Sequence, residues 1–278
     1  MTSAARVAVS SPGKAPATGL RLRLLMLNVQ RSSPERARRQ AEWIGAQEGA
    51  DVVVITEVSS GPGGDALASV LAGHGYHSIV APSSGTRDYR TILASRDATL
   101  GAVPSGVGVL PHRAPAATVT ACGQQAGLLG LYVPSRGPKD RRNEDKRAFQ
   151  AAVTQALPGF LARFDGPVIV AGDLNVVEPG HQPRYPVFGG WEYDFYRAFA
   201  AAGMTDAYRA CHPDDAGHSW YGRGGNGYRF DHAFITSAHA RLVRHCGYLH
   251  EPRRQGLTDH AAMTLTLGPE EDKEGTPP

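Results

Sequence analysis

Polar residues able to bind a metal ion or a phosphate group stand at the ends of the apolar runs of this chain. They are Asn28, Glu57, Asp173, Asn175, Asp259 and His260. Each of them alone has an ordinary explanation as a turn or loop residue. Their shared position is more informative, because ligands and catalytic groups concentrate in loops at the strand ends of α/β sheets. We therefore interpret the six residues as parts of one site.

The residue types in this set suit metal-assisted attack of water on a phosphate ester. Glu57 offers a carboxylate of the kind that Mg²⁺ binds beside waters and phosphate oxygens. Asp173 can align and deprotonate a water molecule, or protonate a leaving group. The amides of Asn28 and Asn175 can donate hydrogen bonds to phosphate oxygens and accept them from water. An imidazole held by a carboxylate can stabilise phosphoryl charge, and His260 with Asp231 is the candidate pair.

Strands must deliver these side chains to one place. Three runs, Leu22–Leu27, Asp51–Ile55 and Val168–Ala171, are almost entirely apolar and are predicted to be strands buried on both faces. Apolar and polar residues alternate at 229–235 and 261–267, which predicts two further strands near the end of the chain. The segment 83–126 is broken by Gly and Pro and is predicted to form short strands joined by turns.

Helical patterns separate the strands. Apolar spacing predicts helices over 34–48, 143–157 and from Trp191 to Ala202, the last stopped by Gly203. The alternation predicts one α/β domain over 20–268. Residues 1–19 and 269–278 are predicted to be disordered tails, the second of them acidic. A short transit peptide is the alternative for the first tail, which has no apolar core of a secretory signal.

The composition narrows the class of protein. Hydrophobic residues make up 41% and charged residues 20% of the chain, as in ordinary globular proteins. The net charge of +3 is compatible with an anionic partner but far from that of a polybasic chain. No apolar run approaches the length of a membrane helix. The three cysteines are widely spaced, so we interpret them as buried thiols and predict a cytoplasmic, monomeric protein.

One motif is misleading. Gly222-Arg223-Gly224-Gly225-Asn226-Gly227 matches the dinucleotide-binding pattern GxGxxG. That pattern binds a pyrophosphate only where it follows a strand and opens a helix. Here a strand-like run follows it, so we predict a hairpin turn and no nucleotide cofactor.

The chain resembles the endonuclease/exonuclease/phosphatase superfamily, with its DNase I-like fold, from Leu22 to Leu267. Seven segments carry the resemblance in the family's order: Leu27-Asn28, Ile55-Thr56-Glu57, Leu131-Tyr132-Val133-Pro134, Gly172-Asp173-Leu174-Asn175, Ser219-Trp220, Arg229-Phe230-Asp231-His232 and Thr258-Asp259-His260. Within the superfamily the chain is most similar to abasic-site DNA endonucleases of the exonuclease III type.

The resemblance implies an α/β sandwich of two sheets flanked by helices, and a phosphoesterase that depends on Mg²⁺ or Mn²⁺. Matching positions imply Glu57, Asn28 and Asp259 as metal ligands. They imply catalytic roles for Asp173, Asn175, His260, Asp231 and Tyr132, with Tyr132 touching the scissile phosphate. We assign Arg136, Trp220 and Arg229 to substrate binding, and DNA is the expected partner.

Several segments depart from the family's pattern. The first strand continues as Val29-Gln30-Arg31 where the family has Asn-x-Asn-Gly, and a segment beginning Tyr89-Arg90 replaces the expected Gly-Val-Ala strand. These departures leave the residues of the core reaction in place. They keep open a second hypothesis, a phosphatase or phosphodiesterase for a small molecule, RNA or a lipid headgroup. A third, an inactive binding module, conflicts with the complete set of acid, amide and imidazole residues.

Overall fold

The computed structural model of the protein describes residues 19–83, 89–136 and 140–269. The tails predicted at 1–19 and 269–278 lie outside these residues, except for Gly19 and Pro269. The strands are β1 (Leu22–Asn28), β2 (Val52–Ser59), β3 (Ser78–Val80), β4 (Tyr89–Ser95), β5 (Thr99–Val103), β6 (Ala116–Ala121), β7 (Gln124–Tyr132), β8 (Val168–Asp173), β9 (Met204–Asp206), β10 (Trp220–Tyr221), β11 (Gly227–Tyr228), β12 (Asp231–Thr236), β13 (Val243–Leu249) and β14 (Ala262–Leu267).

The helices among the described residues are α1 (Pro34–Gly45), α2 (Pro62–Gly73), α3 (Asp140–Leu161), α4 (Gly190–Ala201), α5 (Ala207–Cys211) and α6 (Glu251–Arg254), with 3₁₀ turns at Pro111–Arg113 and Ser237–Leu242. Ser33 caps α1, which ends three residues before the predicted end. The helix α3 instead continues past Pro158, and the burial of Phe160 in its last turn accompanies this extension. No described helix combines the length and apolarity required to cross a bilayer.

Two six-stranded sheets form the sandwich. The first has the order β13-β14-β1-β2-β4-β3 and the second has β5-β6-β7-β8-β12-β9. Among the strand pairs of the described residues, β1–β2 and β7–β8 are the parallel ones. The strands β10 and β11 form a separate hairpin across the misleading glycine motif, which confirms the turn predicted there.

The core has three apolar layers, one between the two sheets and one between each sheet and its helices. The central strands therefore contact one layer with each face. Leu24 and Met26 of β1 lie between the sheets, whereas Leu25 and Leu27 pack under α1 and α2. In the second sheet Ile169 faces the first sheet, and its neighbours in β8 pack under α3 and α4. Burial on both faces explains why these runs are apolar throughout, and the α/β sandwich predicted from the sequence is confirmed.

The prediction for the cysteines is wrong in part. Cys246 is buried, but Cys211 is half-buried and Cys122 is exposed. Cys122 lies in the tight turn between β6 and β7, where its φ of +51° directs the chain back into the sheet. The turn is at the surface because its backbone groups need access to water.

Candidate active site

Asp173 is the centre of the site and joins the two sheets. Its Oδ2 accepts a hydrogen bond of 2.8 Å from Asn28 Nδ2, at the end of β1. Asn175 adds two more, from its backbone N–H to Oδ1 at 2.8 Å and from its side-chain Nδ2 to Oδ2 at 3.1 Å. Asp173 and Asn28 are both almost fully buried. The carboxylate is therefore fixed in orientation by amides from both sheets.

The residues around Asp173 explain why the sequence is Gly-Asp-Leu-Asn. A Cβ on Gly172 would lie 1.8 Å from the carbonyl oxygen of Leu131, so only glycine fits between β7 and β8. Asn175 has a φ of +47°, a left-handed conformation that asparagine tolerates better than most residues. This turn directs the Asn175 amide back to Asp173 and to the carbonyl of Val133, at 2.9 Å.

Glu57 reaches the site from a bulge in β2. The pairing register of β2 with β4 shifts between Ile55 and Val58, and Glu57 between them has a φ of +55°. Such a bulge redirects a side chain that a regular strand would point elsewhere. Glu57 Oε1 accepts a hydrogen bond of 2.8 Å from the hydroxyl of Tyr132, the last residue of β7. The Glu57–Tyr132 hydrogen bond is therefore a second contact between the two sheets, beside that of Asn28 with Asp173.

His260 and Asp231 form a buried pair. The distance from His260 Nδ1 to Asp231 Oδ2 is 2.7 Å, which leaves Nε2 as the ring nitrogen available to a substrate. The hydroxyl of Ser219 accepts hydrogen bonds from the backbone N–H groups of Phe230 and Asp231, at 3.0 and 3.1 Å. Ser219 is itself fully buried. These contacts fix the strand end that carries Asp231, and so the orientation of the imidazole.

Burial and neighbouring charges shift the pKa values of three groups of the site. Burial and the neighbouring Asp231 carboxylate raise the pKa of Asp173 to about 8. Burial alone would lower the pKa of His260, but the charge of Asp231 and its hydrogen bond raise that pKa to about 10. Burial and the charge of Glu57 raise the pKa of Tyr132 well above its usual value. At neutral pH His260 is a cation and Tyr132 keeps its proton.

Two carboxylate oxygens of the site fit a hard cation. Although ligand atoms of Asp173, Asp231 and His260 all lie within 4.8 Å of one another, His260 is protonated and cannot itself bind a metal ion. Asp231 Oδ1 and Asp259 Oδ1 are buried and accept no hydrogen bond from any described residue. Buried carboxylate oxygens without a donor are costly, and a divalent cation with oxygen ligands would satisfy them.

The sequence-predicted residues do not all meet at the site. Trp220 Nε1 donates a hydrogen bond of 2.9 Å to Asp259 Oδ2, which links this pair to the neighbouring His260. Arg136 is about one-third exposed and its Nη1 donates to Glu192 at 3.0 Å. Both Trp220 and Arg136 retain surface that a substrate can reach.

The prediction that Arg229 binds substrate is wrong. Its side chain is fully buried, and its guanidinium donates to Asp206 at 2.8 Å and to Glu178 at 2.7 Å. Both carboxylates hold it inside the second sheet, so a substrate cannot reach it. Arg229 therefore belongs to an internal ion-pair network that supports β12, the strand of Asp231.

Sequence reasoning missed several supporting residues. Lys146 is completely buried and its Nζ donates to the carbonyl of Asn175 at 2.8 Å and to Glu192 at 2.6 Å. Thr258 Oγ1 donates to the carbonyl of Asn28 at 2.7 Å. Thr258 could have been found from its place in the closing Thr-Asp-His segment. Lys146 could not, because it lies in a run of charged residues that resembles a solvated helix face.

Comparison with known proteins agrees with this geometry. The profile of the endonuclease/exonuclease/phosphatase family matches residues 27–260. A search of curated proteins finds no significant match. The chain covers 99–100% of the length of three similar solved structures, and at 18–22% identity these matches establish the fold alone.

Three of the solved structures that share the fold illustrate the likeness. The 3′-5′ exonuclease NExo of Neisseria meningitidis has a TM-score of 0.75 and 22% identity, with 89% of this chain and 100% of that chain covered. The 3′ phosphatase NExo from Neisseria bound to a product DNA hairpin has a TM-score of 0.69 and 21% identity, with 88% and 99% covered. An AP endonuclease from Archaeoglobus fulgidus has a TM-score of 0.68 and 18% identity, with 88% and 99% covered. With a DNase I-like sandwich and a profile match from the end of β1 to His260, the chain belongs to the endonuclease/exonuclease/phosphatase family.

Proposed function

We propose that the protein is a divalent-metal-dependent phosphodiesterase that hydrolyses DNA, as an abasic-site endonuclease, a 3′-exonuclease or a 3′-phosphatase. One observation carries the proposal: Asp173 is fixed by amides of Asn28 and Asn175 while the His260–Asp231 pair lies within 4.8 Å of it. A carboxylate and an imidazolium so placed can act on the two sides of one phosphoryl transfer. Membership of the family supports the same reaction class.

In this mechanism Asp173 orients the attacking water and accepts its proton. The raised pKa of Asp173 favours this role, because a general base is most effective when its pKa lies near the working pH. His260, kept protonated by Asp231, donates a hydrogen bond from Nε2 to a phosphoryl oxygen. Tyr132 can donate a hydrogen bond from its hydroxyl to another phosphoryl oxygen in place of Glu57. These donors stabilise the charge that develops as the new P–O bond forms and the P–O bond to the leaving oxygen breaks, and the leaving oxygen then takes a proton from solvent water.

Glu57, Asp259 and the side-chain oxygen of Asn28 would hold Mg²⁺, with Mn²⁺ as a substitute. Asn28 Oδ1 accepts one hydrogen bond, from Gln30 N–H at 2.8 Å, and keeps a second lone pair for a ligand bond. The bound cation supplies charge neutralisation at the phosphoryl group. Asn28 thus serves twice, because its amide nitrogen also orients Asp173.

DNA is the substrate we propose, on three grounds. One similar structure holds a product DNA hairpin. Arg136 lies in the segment that follows Tyr132 and offers a cation to a phosphate backbone. Trp220 offers a partly exposed aromatic surface beside Asp259. The modest net charge of +3 favours the second candidate, a small phosphate ester, and keeps that alternative in the experiment.

The first experiment incubates the full chain with a labelled duplex that carries one abasic site, in Mg²⁺, in Mn²⁺ and in EDTA. We expect incision or 3′ trimming only with the metals. Glu57→Gln and His260→Asn should each reduce the rate by about 100-fold or more, the range for loss of one charge-stabilising group. His245→Asn is the matched control, because His245 is an exposed histidine of β13.

Two results would contradict the proposal. Metal-dependent phosphate release from small esters without any action on DNA would move the substrate to the second candidate. Activity of Glu57→Gln and His260→Asn equal to that of the parent chain would show that these residues do not form the site.

A further inference from the structure

Gln40 is a polar residue on the apolar face of α1. Its side chain is fully buried, on the same face of the helix as Ala37, Ala41 and Ile44, which pack on the first sheet. A buried amide costs free energy unless its polar atoms have hydrogen-bond partners, so an apolar residue would be the simpler choice at this position. The reaction proposed above gives Gln40 no role, and its partners show why an amide is placed there.

The amide of Gln40 joins two loops of the site. Its Nε2 donates hydrogen bonds to the carbonyl of Val29 at 2.9 Å and to the carbonyl of Leu257 at 2.6 Å. Its Oε1 accepts a hydrogen bond of 2.5 Å from Ser32 Oγ. Both hydrogens and the oxygen of the amide are therefore engaged. A flipped amide would place its oxygen against two carbonyl oxygens, so the orientation of the group is fixed.

Each of these two loops carries a proposed metal ligand. Val29 directly follows Asn28 at the end of β1, and Leu257 stands two residues before Asp259. Thr258 Oγ1, which donates to the carbonyl of Asn28 at 2.7 Å, makes a second link between the same loops. The spacing of Asn28 and Asp259 is therefore held by side chains that contact the backbone of both loops.

The third proposed ligand is attached to the same framework. The N–H of Val29 donates to the carbonyl of Thr56 at 3.0 Å, and the N–H of Arg31 donates to the carbonyl of Glu57 at 3.2 Å. These bonds join the loop after β1 to the bulge of β2 that carries Glu57. Val29 thus contacts Gln40 through its carbonyl and the Glu57 bulge through its amide.

We propose that Gln40 is a positioning residue of the metal site, whose amide sets the spacing of the three loops that carry Asn28, Glu57 and Asp259. The inference rests on the proposed function, because it takes these three residues as the ligands of the cation. It goes further by assigning part of the metal affinity to a residue whose own polar atoms are all engaged elsewhere. Groups that orient metal ligands without touching the ion are typically worth about 10–100-fold in affinity.

Mn²⁺ binding in the absence of substrate tests the proposal. Electron paramagnetic resonance measures the free Mn²⁺ left in solution, which gives the Kd of the ion for the full chain. Gln40→Met keeps the length of the side chain but removes its hydrogen bonds, and should raise this Kd about tenfold or more. Ser32→Ala leaves the Gln40 amide in place but removes the donor to its oxygen, and should raise the Kd about threefold.

Tyr76→Phe is the matched control. Tyr76 is fully buried in the same apolar layer as the inner face of α1. Its hydroxyl donates to the carbonyl of Ala50 at 3.0 Å, before the start of β2 and so at the opposite end of that strand from Glu57. The substitution removes a buried hydrogen bond without touching the three loops. Its Kd for Mn²⁺ should stay within about twofold of the parent value, because distant sites act independently.

Kinetics supply a second readout that a merely structural role would not change. With the abasic duplex as substrate, Gln40→Met should need about tenfold more Mg²⁺ than the parent chain for its half-maximal rate. At saturating Mg²⁺ its kcat should return to within about threefold of the parent value, because the ligands themselves are intact. A loss of kcat that Mg²⁺ does not restore would contradict a role in metal affinity.

The remaining outcomes are distinct. Equal Kd values for Gln40→Met and Tyr76→Phe would overturn the assignment of Gln40, and if Gln40→Met does not fold, a Kd of Ser32→Ala equal to that of the parent chain would do so. Absence of Mn²⁺ binding by the parent chain would contradict the metal site of the proposed function, and with it the role of Gln40. A parent chain that binds Mn²⁺ but does not cleave DNA would contradict the proposed substrate alone, and the Kd values would still decide the role of Gln40.

Discussion

At the scale of the residue, the site depends on two groups whose pKa values are both raised, Asp173 and His260. Asp173 and Asp231 face each other across β8 and β12, and their mutual repulsion in a buried place disfavours two negative charges. Protonated His260 relieves this repulsion from one side, and amides from Asn28 and Asn175 do so from another. The Asp231 carboxylate that helps to raise the pKa of Asp173 therefore also stabilises the His260 cation, against the effect of burial, which alone would lower the pKa of His260.

Because the reaction requires Asp173 without its proton and His260 with its proton, we predict a bell-shaped pH dependence of kcat/KM. Activity should rise with pH as Asp173 loses its proton, around 8, and fall as His260 loses its own, around 10. A bound cation would lower both values, because its charge favours the deprotonated form of Asp173 and disfavours the protonated form of His260. His260→Asn should abolish the alkaline fall and keep the acidic rise. An unchanged alkaline limb in that variant would contradict the role of His260.

At the scale of the element, helices outside the sheets hold the turn that carries Asn175. Lys146 of α3 and Glu192 of α4 form a fully buried ion pair. Lys146 also binds the Asn175 carbonyl, while Glu192 accepts hydrogen bonds from Gly189 N–H and from Arg136. The packing of α3 against α4 therefore helps to fix the orientation of the Asn175 amide beside Asp173.

This arrangement predicts that Lys146→Met lowers kcat by acting through Asn175. We expect a loss of about tenfold or more in the parent background and a much smaller one in an Asn175→Ala background, since neighbours in one network are not additive. Urea unfolding should also show a loss of about 3 kcal/mol, because Glu192 loses its fully buried cation and keeps only Arg136 and the Gly189 N–H as partners among the described residues. Arg147→Met, which removes the adjacent exposed charge, is the control. Equal factors in both backgrounds would contradict the coupling.

At the scale of the whole molecule, a buried network of charges joins the second sheet to the segment after β8. Arg229 pairs with Asp206 and Glu178, and Tyr196 donates a hydrogen bond to Asp206 at 2.5 Å. Although burial alone would raise it, the pKa of Asp206 is held well below its usual range by Arg229 and its other partners. The network makes stability depend on pH.

We expect Asp206→Asn to destabilise the protein at neutral pH and progressively less in acid. A carboxyl whose pKa is lower in the folded state stabilises the fold above its unfolded pKa of about 3.9, and that contribution disappears as pH falls through the folded value. Urea unfolding at pH 7 should show a loss of about 3 kcal/mol, which narrows below pH 4. Asp194→Asn, in an exposed pair with Arg197, should change stability by less than about 1 kcal/mol at either pH. A difference for Asp206→Asn that is constant with pH would contradict this account.

The sequence alone determined the layered α/β fold, and it predicted most of the residues that we place in the candidate site. Apolar runs buried on both faces have only one kind of place in a protein, between a sheet partner and a helix layer, so β1, β2 and β8 were predictable. The polar residues that end these runs, such as Asn28 and Asp173, were recognisable because each stands where an apolar run stops. Only the tertiary structure decided which buried charged residues support these site residues. Arg229 and Lys146 are charged residues that propensity and spacing place at the surface, yet both are buried, because their partners Asp206 and Glu192 come from distant segments. The partner of a charge is a property of the fold, and the local sequence does not contain it.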